Sequence, residues 1–347
     1  MEPRTSSNRS EERIERSKIP LQLNLRRGEV VEVRSEVEIL GTLDGNGALD
    51  ALPFMPEMLR YCGKRFRVFH RADKACDTIR RTGLNRRMTN TVYLEDLRCD
   101  GSGHGDCEAA CLIFWKEAWL KRVREQGQGE ETAASSDTKV LSSGDSVVWK
   151  ATQVGGDAKS VTYSCQATRM IEASSDMSPG NPIQYLRDIR WGNAGVWEVL
   201  RALAIELYNR IQRWRRGGQY PYLCGRGGSQ PSAGLNLQAG ELVQVKSKDE
   251  IMETVNSALR NRNLTFDLEM LRYCGGTYPV LKRVDKIINE ATGKMMKLPS
   301  DCIILDGVVC VGEYHGFCKR SIYPYWREIW LRRIEGVKGP GEGSSGA

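Results

Sequence analysis

The sequence EMLRYCG occurs at residues 57–63 and again, without a change, at residues 269–275. At this offset of 212 residues, the match extends upstream to Leu23 and Leu235. After a slip of one residue, it extends downstream to Arg122 and Arg333. A match of this length does not arise by chance, so the sequence predicts a duplicated unit of about 100 residues.

The duplication organises a chain of 347 residues, a length that suggests about two to three domains. Stretches rich in Gly, Ser, Gln and Glu separate the copies from the remaining sequence. We therefore expect a disordered N-terminus at 1–19, module 1 at 20–124, a flexible linker at 125–146, an intervening hairpin and helix segment at 147–232, module 2 at 233–335 and a disordered tail at 336–347.

Each copy has the sequence pattern of a small, mainly β module. Residues 28–33 alternate with period two after a glycine, which is typical of a half-buried strand. Ser35 and Glu38 form a capping-box pattern that predicts a short helix. Further strands are predicted at 66–69 and 91–94. The sequence thus predicts an α+β, mainly β fold with two homologous, small, barrel-like modules of SH3-like type.

A helix is expected at the end of each module. In the first copy, residues 108–123 would place Leu112, Trp115 and Trp119 on one helical face. The equivalent helix in the second copy would begin near Pro324. We interpret these repeated tryptophans as core residues rather than as a platform for stacking sugars.

The segment between the modules is predicted to contain a β-hairpin and a helix. Residues 147–149 and 161–165 have the composition of two short paired strands around a glycine pair. Residues 197–214 follow the helical period, with apolar residues on one side. This hairpin and helix would join the two modules.

The composition is that of a globular protein, with 40% hydrophobic residues, 27% charged residues and a net charge of +7. No apolar run approaches ~18 residues, so no transmembrane helix is expected. The N-terminus lacks the apolar segment of a secretory signal. We therefore expect a cytoplasmic protein, whose eleven cysteines are reduced or metal-bound.

Two of the three histidines occupy the same place in the two copies, within the motif Cys-x4-His-x2-Cys. The duplicated block adds one further shared cysteine to each copy. Three cysteines and one histidine form a recognised ligand set for tetrahedral zinc. The predicted ligands are Cys62, Cys99, His104 and Cys107 in module 1, and Cys274, Cys310, His315 and Cys318 in module 2. This pattern predicts two zinc ions per chain.

Two other interpretations of these residues remain open. If Cys62 is not a ligand, Cys99, His104 and Cys107 leave a position for water, as a catalytic zinc requires. Cys111 could instead replace Cys62 in the first copy. Alternatively, the cysteines are buried thiols or form a disulfide, and the histidine is simply hydrogen-bonded.

Basic residues are concentrated at 60–87 and, less strongly, at 272–297. A basic band in each module could follow a phosphate backbone or an acidic polysaccharide. A solvated charged face is the simpler interpretation. Nucleic-acid binding is therefore an alternative that we do not favour.

The repeated MLRYCG and Cys-x4-His-x2-Cys blocks, together with Tyr163–Thr168, resemble those of an uncharacterised bacterial family with tandem modules. The resemblance covers about residues 20–335. It implies that the gene lies beside genes for polysaccharide or natural-product biosynthesis and that the protein is accessory to such a system. It identifies no catalytic residue. We therefore expect a non-catalytic, metal-stabilised binding or scaffold protein with a protein partner or an anionic ligand. The alternatives are a zinc-dependent enzyme and a nucleic-acid-binding protein.

Overall fold

The structure is a computed structural model that describes residues 19–80, 82, 84–123, 147–155, 161–178, 181–227 and 233–334. The predicted linker and both predicted disordered ends, apart from residue 19, lie outside these residues. The described chain is mainly β with a few helices, which confirms the α+β, mainly β class. None of its helices has the length and apolarity that crossing a membrane would require.

The first half forms a curled, half-barrel sheet of five strands in the order β8-β7-β4-β1-β9. A two-stranded sheet consists of β2 and β3. In a three-stranded sheet, β6 lies between β5 and a later strand, β10 (Ser174–Asp176). The elements are β1 (Val30–Val33), α1 (Glu36–Leu40), β2 (Ala48–Leu49), β3 (Leu52–Pro53), a 3₁₀ helix (Pro56–Tyr61), β4 (Arg65–Arg71), β5 (Ala75–Cys76), β6 (Asn85–Met88), β7 (Thr91–Arg98), β8 (Leu112–Lys116), a 3₁₀ helix (Glu117–Trp119) and β9 (Leu120–Arg122).

The intervening segment contributes α2 (Val147–Ala151), β10 (Ser174–Asp176), α3 (Ile183–Arg190) and α4 (Val196–Arg215). The second half then forms a four-stranded sheet in the order β17-β14-β11-β18. Its elements are β11 (Leu242–Val245), α5 (Lys248–Met252), β12 (Arg260–Asn261), β13 (Leu264–Thr265), a 3₁₀ helix (Leu268–Tyr273), β14 (Thr277–Arg283), β15 (Lys286–Ile288), β16 (Met295–Lys297), β17 (Ile303–Leu305), a 3₁₀ helix (Glu328–Trp330) and β18 (Leu331–Arg333).

Four strands of the first large sheet, β7-β4-β1-β9, have the same order and register as the four strands of the second, and β8 is an additional edge strand of the first. In the first, Val31 lies opposite Phe66, and in the second Val243 lies opposite Tyr278. Both residues of the second pair lie 212 positions after those of the first. The predicted strands at 28–33, 66–69 and 91–94 are confirmed as β1, β4 and β7.

A buried glutamate connects the start of each half to its end. Glu117 accepts the backbone N–H groups of Leu23, Asn24 and Leu25 and is paired with the buried Arg71. In the second half, Glu328 accepts from the backbone N–H of Leu237 and pairs with Arg283. Burial of a carboxylate is tolerated because it is hydrogen-bonded and paired.

The predicted terminal helix of each module is wrong. Residues 112–116 form strand β8, all five of whose residues are buried, and Glu117–Trp119 is only a 3₁₀ turn. The second copy has a 3₁₀ turn and then β18. Apolar residues at helical spacing misled the prediction, because a short continuous apolar run also fits a fully buried strand. Trp115, Trp119, Trp326 and Trp330 are fully buried, which confirms them as core residues.

The predicted strand at 147–149, the first half of the expected hairpin, is also wrong. Residues 147–151 form helix α2 instead of the predicted first strand, and the antiparallel pairing with residues 162–164 begins only at Thr152, through one bridge and three backbone hydrogen bonds. Three apolar residues are too few to distinguish the period of a strand from that of a helix. The longer pattern at 197–214 was sufficient, and α4 confirms the predicted helix.

Candidate metal centres

Both Cys/His motifs form a tight loop with the same backbone hydrogen bonds. In the first loop, the carbonyl oxygen of Gly101 accepts the N–H groups of His104 and Asp106. In the second, the carbonyl oxygen of Gly312 accepts those of His315 and Phe317. The loops therefore present their histidines from equivalent positions.

Glycine is required where each loop closes. Gly101 and Gly312 have positive φ angles, of +81° and +78°. A Cβ atom at Gly101 would lie 2.3 Å from the carbonyl oxygen of Cys107, and one at Gly312 would lie 2.1 Å from that of Cys318. A side chain would therefore prevent the close approach of the two ends of the loop.

In the first loop, Cys99 and His104 converge on Glu57. The sulfur of Cys99 lies 3.2 Å from Oε1 of Glu57 and 3.5 Å from Nε2 of His104. Nδ1 of His104 lies 3.6 Å from the same carboxylate oxygen. One ligand atom from each of the three residues can be chosen so that all lie within 4.8 Å of one another. We call these three residues the first group.

Two polar atoms of the first group are buried without a hydrogen-bond partner among the described residues. They are Oε2 of Glu57 and Nδ1 of His104. Gly103 makes room for this carboxylate, since a Cβ there would lie 2.5 Å from Oε2. Each unsatisfied buried polar atom costs on the order of 1–3 kcal/mol, so these two atoms destabilise the fold unless a cation binds to them.

The surroundings of the first group disfavour charge on its ring and its thiol. Burial lowers the pKa of His104, although the neighbouring carboxylate of Glu57 opposes this shift. Burial, together with Glu57, raises the pKa of the Cys99 thiol far above its ordinary value. The metal-free group therefore holds a neutral imidazole and a protonated thiol.

A second group consists of Glu269, Cys310 and His315, again with ligand atoms within 4.8 Å of one another. Here the polar atoms have partners. The carboxylate of Glu269 accepts the backbone N–H groups of Val311 and Tyr314. Nε2 of His315 lies 3.1 Å from Oδ1 of a further residue, Asp267.

Asp267 changes the charge of the second group. Its hydrogen bond raises the pKa of His315 to about 9, against the effect of burial. Burial also raises the pKa of the Cys310 thiol. The metal-free second group is therefore expected to hold a protonated imidazole at neutral pH. A metal ion that binds His315 would have to displace this proton.

The last cysteine of each loop faces the other half of the molecule. The sulfur of Cys107 accepts the backbone N–H of Ile288 at 3.3 Å. The sulfur of Cys318 accepts the backbone N–H of Cys76 at 3.1 Å. Positions 76 and 288 are 212 residues apart, so the two contacts are reciprocal.

Neither group contains the predicted ligands Cys62, Cys107, Cys274 and Cys318. Cys62 packs at the edge of the first core cluster, and burial together with Glu36 raises its thiol pKa to about 11. Cys274 lies 3.9 Å from the carbonyl oxygen of Met270, and burial raises its pKa to about 11. The structure gathers Cys99 with His104, and Cys310 with His315, but the third member of each group is a glutamate.

A cavity of about 40 Å³ adjoins the first group. Cys99, Cys107, Cys111 and Cys165 contribute to a lining that is otherwise largely apolar. The volume is enough for roughly three water molecules and too small for an organic substrate. A fourth ligand for a metal in the first group could thus be a water molecule or the thiol of Cys107.

Sequence reasoning missed Glu57 and Glu269 as potential ligands. Both head the seven-residue block that is identical in the two copies, so a search for every metal-ligating residue shared by the copies would have found them. Glu108, which directly follows the first loop, accepts the backbone N–H groups of Asp285 and Lys286. It therefore joins the two halves.

Comparison with known proteins assigns no family to this arrangement. No protein-family model, no curated protein and no solved structure matches the chain.

Proposed function

We propose that this is a non-catalytic binding or scaffold protein in which zinc stabilises two Cys/His loops. The observation that carries the proposal is the pair of buried, unpartnered atoms in the first group, Oε2 of Glu57 and Nδ1 of His104. A divalent cation bound by Glu57 and His104 would satisfy these atoms and take Cys99 as a thiolate. Thiolate, imidazole and carboxylate together favour zinc over the hard cations magnesium and calcium.

A stabilising role is favoured by where the loops lie. Each loop contacts the other half through a cysteine, and a lysine of the other half reaches each loop in turn. Nζ of Lys74 donates to the carbonyl oxygen of Gly316, and Nζ of Lys286 donates to that of Gly105. A metal that fixes each loop would therefore also fix the junction between the halves.

We further infer that the two halves are homologous modules that arose by duplication. The shared strand order, the shared register and the reciprocal contacts between the halves support this inference. The curled sheet of the first half is compatible with the SH3-like label, which stays a prediction.

A zinc-dependent enzyme is the second candidate function. Each group supplies three protein ligands, the number that is typical of catalytic zinc sites with one position left for water. The cavity beside the first group would admit that water. Its small volume argues against the binding of an organic substrate there.

Nucleic-acid binding has less support. Three members of the basic band at 60–87 are buried and ion-paired: Arg71, Lys74 and Arg86. Buried, paired side chains cannot follow a phosphate backbone.

Metal analysis of protein purified without chelators tests the proposal. We expect about two zinc ions per chain, and a loss of one ion each from Cys99→Ala and Cys310→Ala. Cys62→Ala should retain both ions, because Cys62 lies outside the groups. The exposed Cys224→Ala serves as the matched control.

Fully folded parent protein without bound metal would contradict the proposal. Loss of zinc from Cys62→Ala, with retention in Cys99→Ala, would restore the ligand set that the sequence predicted. X-ray absorption at the zinc edge would distinguish these sets by the ratio of sulfur to oxygen and nitrogen neighbours.

A further inference from the structure

A pocket of about 500 Å³ lies between helix α4 and the second Cys/His loop. The start of α4 forms one wall, the loop forms another, and Arg272 from the 3₁₀ helix at 268–273 contributes to the lining. Pockets that bind small organic molecules typically measure about 300–1,000 Å³. This pocket therefore has the space that the cavity of about 40 Å³ beside the first group lacks.

The wall that the second loop forms has lost the acidic residues of the first loop. Three acidic residues lie in or directly beside the first loop, and their counterparts in the second copy all line the pocket. The replacements are Val311 for Asp100, Phe317 for Asp106 and Lys319 for Glu108. The second loop gains a single acidic residue, Glu313. The three replaced positions have a formal charge of +1 in place of −3, which favours an anion in the pocket.

Arg272 lacks the acidic partner that its counterpart in the first half has. Arg60 pairs with Asp100 at 2.5 Å, and this aspartate corresponds to Val311. Among the described residues, no carboxylate pairs with Arg272, whose guanidinium carbon lies 5.8 Å from the centre of the Tyr273 ring. The hydrogen-bond donors of this guanidinium are therefore available to a ligand in the pocket.

The two acidic residues that line the pocket already have partners. Glu313 pairs with Arg201 at 3.2 Å. Glu198 caps the N-terminus of α4, and its charge opposes the lowering of the Lys319 pKa by burial. These two carboxylates therefore balance the charges of Arg201 and Lys319. One positive charge remains in the pocket, and it is that of Arg272.

The pocket also has an aromatic lining. Phe317 is buried against Ala194 and Val199. Trp197 lines the pocket as well, but 83% of this residue is exposed. An aromatic group that lies against the Trp197 ring would remove apolar surface of both partners from water.

We propose that this pocket binds a small organic monocarboxylate that carries an aromatic ring. The carboxylate accepts hydrogen bonds from Arg272, whose planar guanidinium suits that shape, and the ring lies against Trp197. A monoanion matches the single uncompensated charge, whereas a phosphate monoester carries a charge of about −1.5 to −2. The inference rests on the proposed binding function, not on the zinc sites, and it names a ligand class for that function.

Titration of the full chain, as purified, with indole-3-acetate tests the site. We expect calorimetry or ligand-detected NMR to give a Kd of about 1 mM or tighter, the range for a ligand of this size. Indole-3-ethanol keeps the ring without the charge and should bind about tenfold more weakly or less. Phenyl phosphate, which carries the larger charge, should also bind more weakly than indole-3-acetate.

Three variants test the residues that hold the ligand. Val311→Asp gives Arg272 the partner that Arg60 has, so it should weaken the binding of indole-3-acetate by about tenfold or more. Arg272→Gln removes the guanidinium and should have the same effect. Trp197→Ala should weaken binding by about twofold to tenfold, because the ring contact is lost. Arg60→Gln is the matched control, since it changes the equivalent arginine outside the pocket and should leave the affinity unchanged.

Several outcomes would overturn the site. Absence of saturable binding, equal binding of indole-3-ethanol or tighter binding of phenyl phosphate would exclude an aromatic monocarboxylate as the ligand. Parent affinity in both Val311→Asp and Arg272→Gln would exclude this pocket.

The zinc content of the same samples separates this inference from the proposed zinc sites. Val311→Asp should retain both ions, because only the backbone N–H of Val311 contacts the second group. A folded, metal-free parent that still binds indole-3-acetate would contradict the zinc sites alone. A parent with two zinc ions that does not bind indole-3-acetate would contradict the ligand site alone.

Discussion

The two Cys/His loops share a backbone but differ in electrostatics. Position 267 holds an aspartate that pairs with His315, and the equivalent position 55 holds a methionine that offers His104 no partner for its charge. The first loop is therefore buried, neutral and unsatisfied, and the second is partly exposed and internally paired. The aspartate at position 267 and the two hydrogen bonds accepted by Glu269 together make the second loop a weaker candidate metal centre than the first.

The largest difference is expected from removal of each histidine. With zinc at a thousandfold excess over its Kd, the bound ion stabilises the folded state by about 4 kcal/mol, and His104→Ala should lose most of this. His315→Ala should lose less, because zinc binding in the second group must first remove the proton of His315 and therefore stabilises the fold less. Thermal and urea unfolding, together with the zinc content, would measure both losses.

Equal losses in the two variants would contradict the ranking of the loops. Retention of metal and of the parent stability by both would remove the histidines from the ligand set.

The lysines that reach across the junction offer a second contrast. Lys74 is buried and paired with the buried Asp188, whereas the side chain of Lys286 is 35% exposed. Removal of one partner from a buried pair costs about 3–5 kcal/mol, so Lys74→Met should destabilise the protein by about that amount. Lys286→Met should cost about 0–1 kcal/mol.

Urea unfolding of the two lysine variants gives these values. Adding Asp188→Asn to Lys74→Met is the control, since it removes the uncompensated charge and should restore part of the loss. A larger effect at Lys286 than at Lys74 would mean that the contacts across the junction are not as described.

Exchanging the residues at positions 55 and 267 tests the electrostatic difference between the two loops. Asp267→Met should lower the pKa of His315 from about 9, and Met55→Asp should raise the pKa of His104. With only three histidines in the chain, their NMR signals can be followed individually in metal-free protein.

The sign of the linked stability follows from the raised pKa of His315. Its pairing with Asp267 stabilises the fold fully below the unfolded pKa of about 6.5, and this contribution disappears as the pH rises through about 9. Asp267→Met should flatten the stability profile in that interval. An unchanged profile would show that the pair does not form.

The smallest expected difference between the loops is the number of protons released when zinc binds. Metal binding requires deprotonated ligands. Each loop should release the proton of its thiol, and the second loop should release roughly one proton more, from His315. Calorimetric titration of zinc into Cys99→Ala and Cys310→Ala, in buffers of different ionisation enthalpy, isolates each site and counts its protons. Equal counts would contradict the proposed charge of His315.

Patterns that depend on neighbouring residues were predicted well from the sequence. Ser35 and Glu38 form the predicted capping box, and the period-two stretch ending at Val33 is a strand. The helix predicted from the apolar periodicity at 112–119 is wrong. A strand buried on both faces lacks the alternating polar residues that would distinguish it from a helix.

The candidate site was predicted only in part, for a different reason. Cys99 and His104 are only five residues apart, and the short loop that joins them keeps their side chains close together. Glu57 lies 42 residues before Cys99, and only the packing of the 3₁₀ helix at 56–61 against the loop decides that it, rather than Cys62, approaches the thiol. Side-chain direction at such a distance depends on tertiary packing.

The reciprocal sulfur contacts have a consequence for synthesis on the ribosome. The backbone group that meets the sulfur of Cys107 belongs to Ile288, 181 residues later in the chain. At about 5–20 residues per second, the first loop waits roughly 10–35 s for this partner to be made. During that interval its thiols are open to whatever metal or oxidant the nascent chain meets, whereas the partner of Cys318 already exists when the second loop emerges.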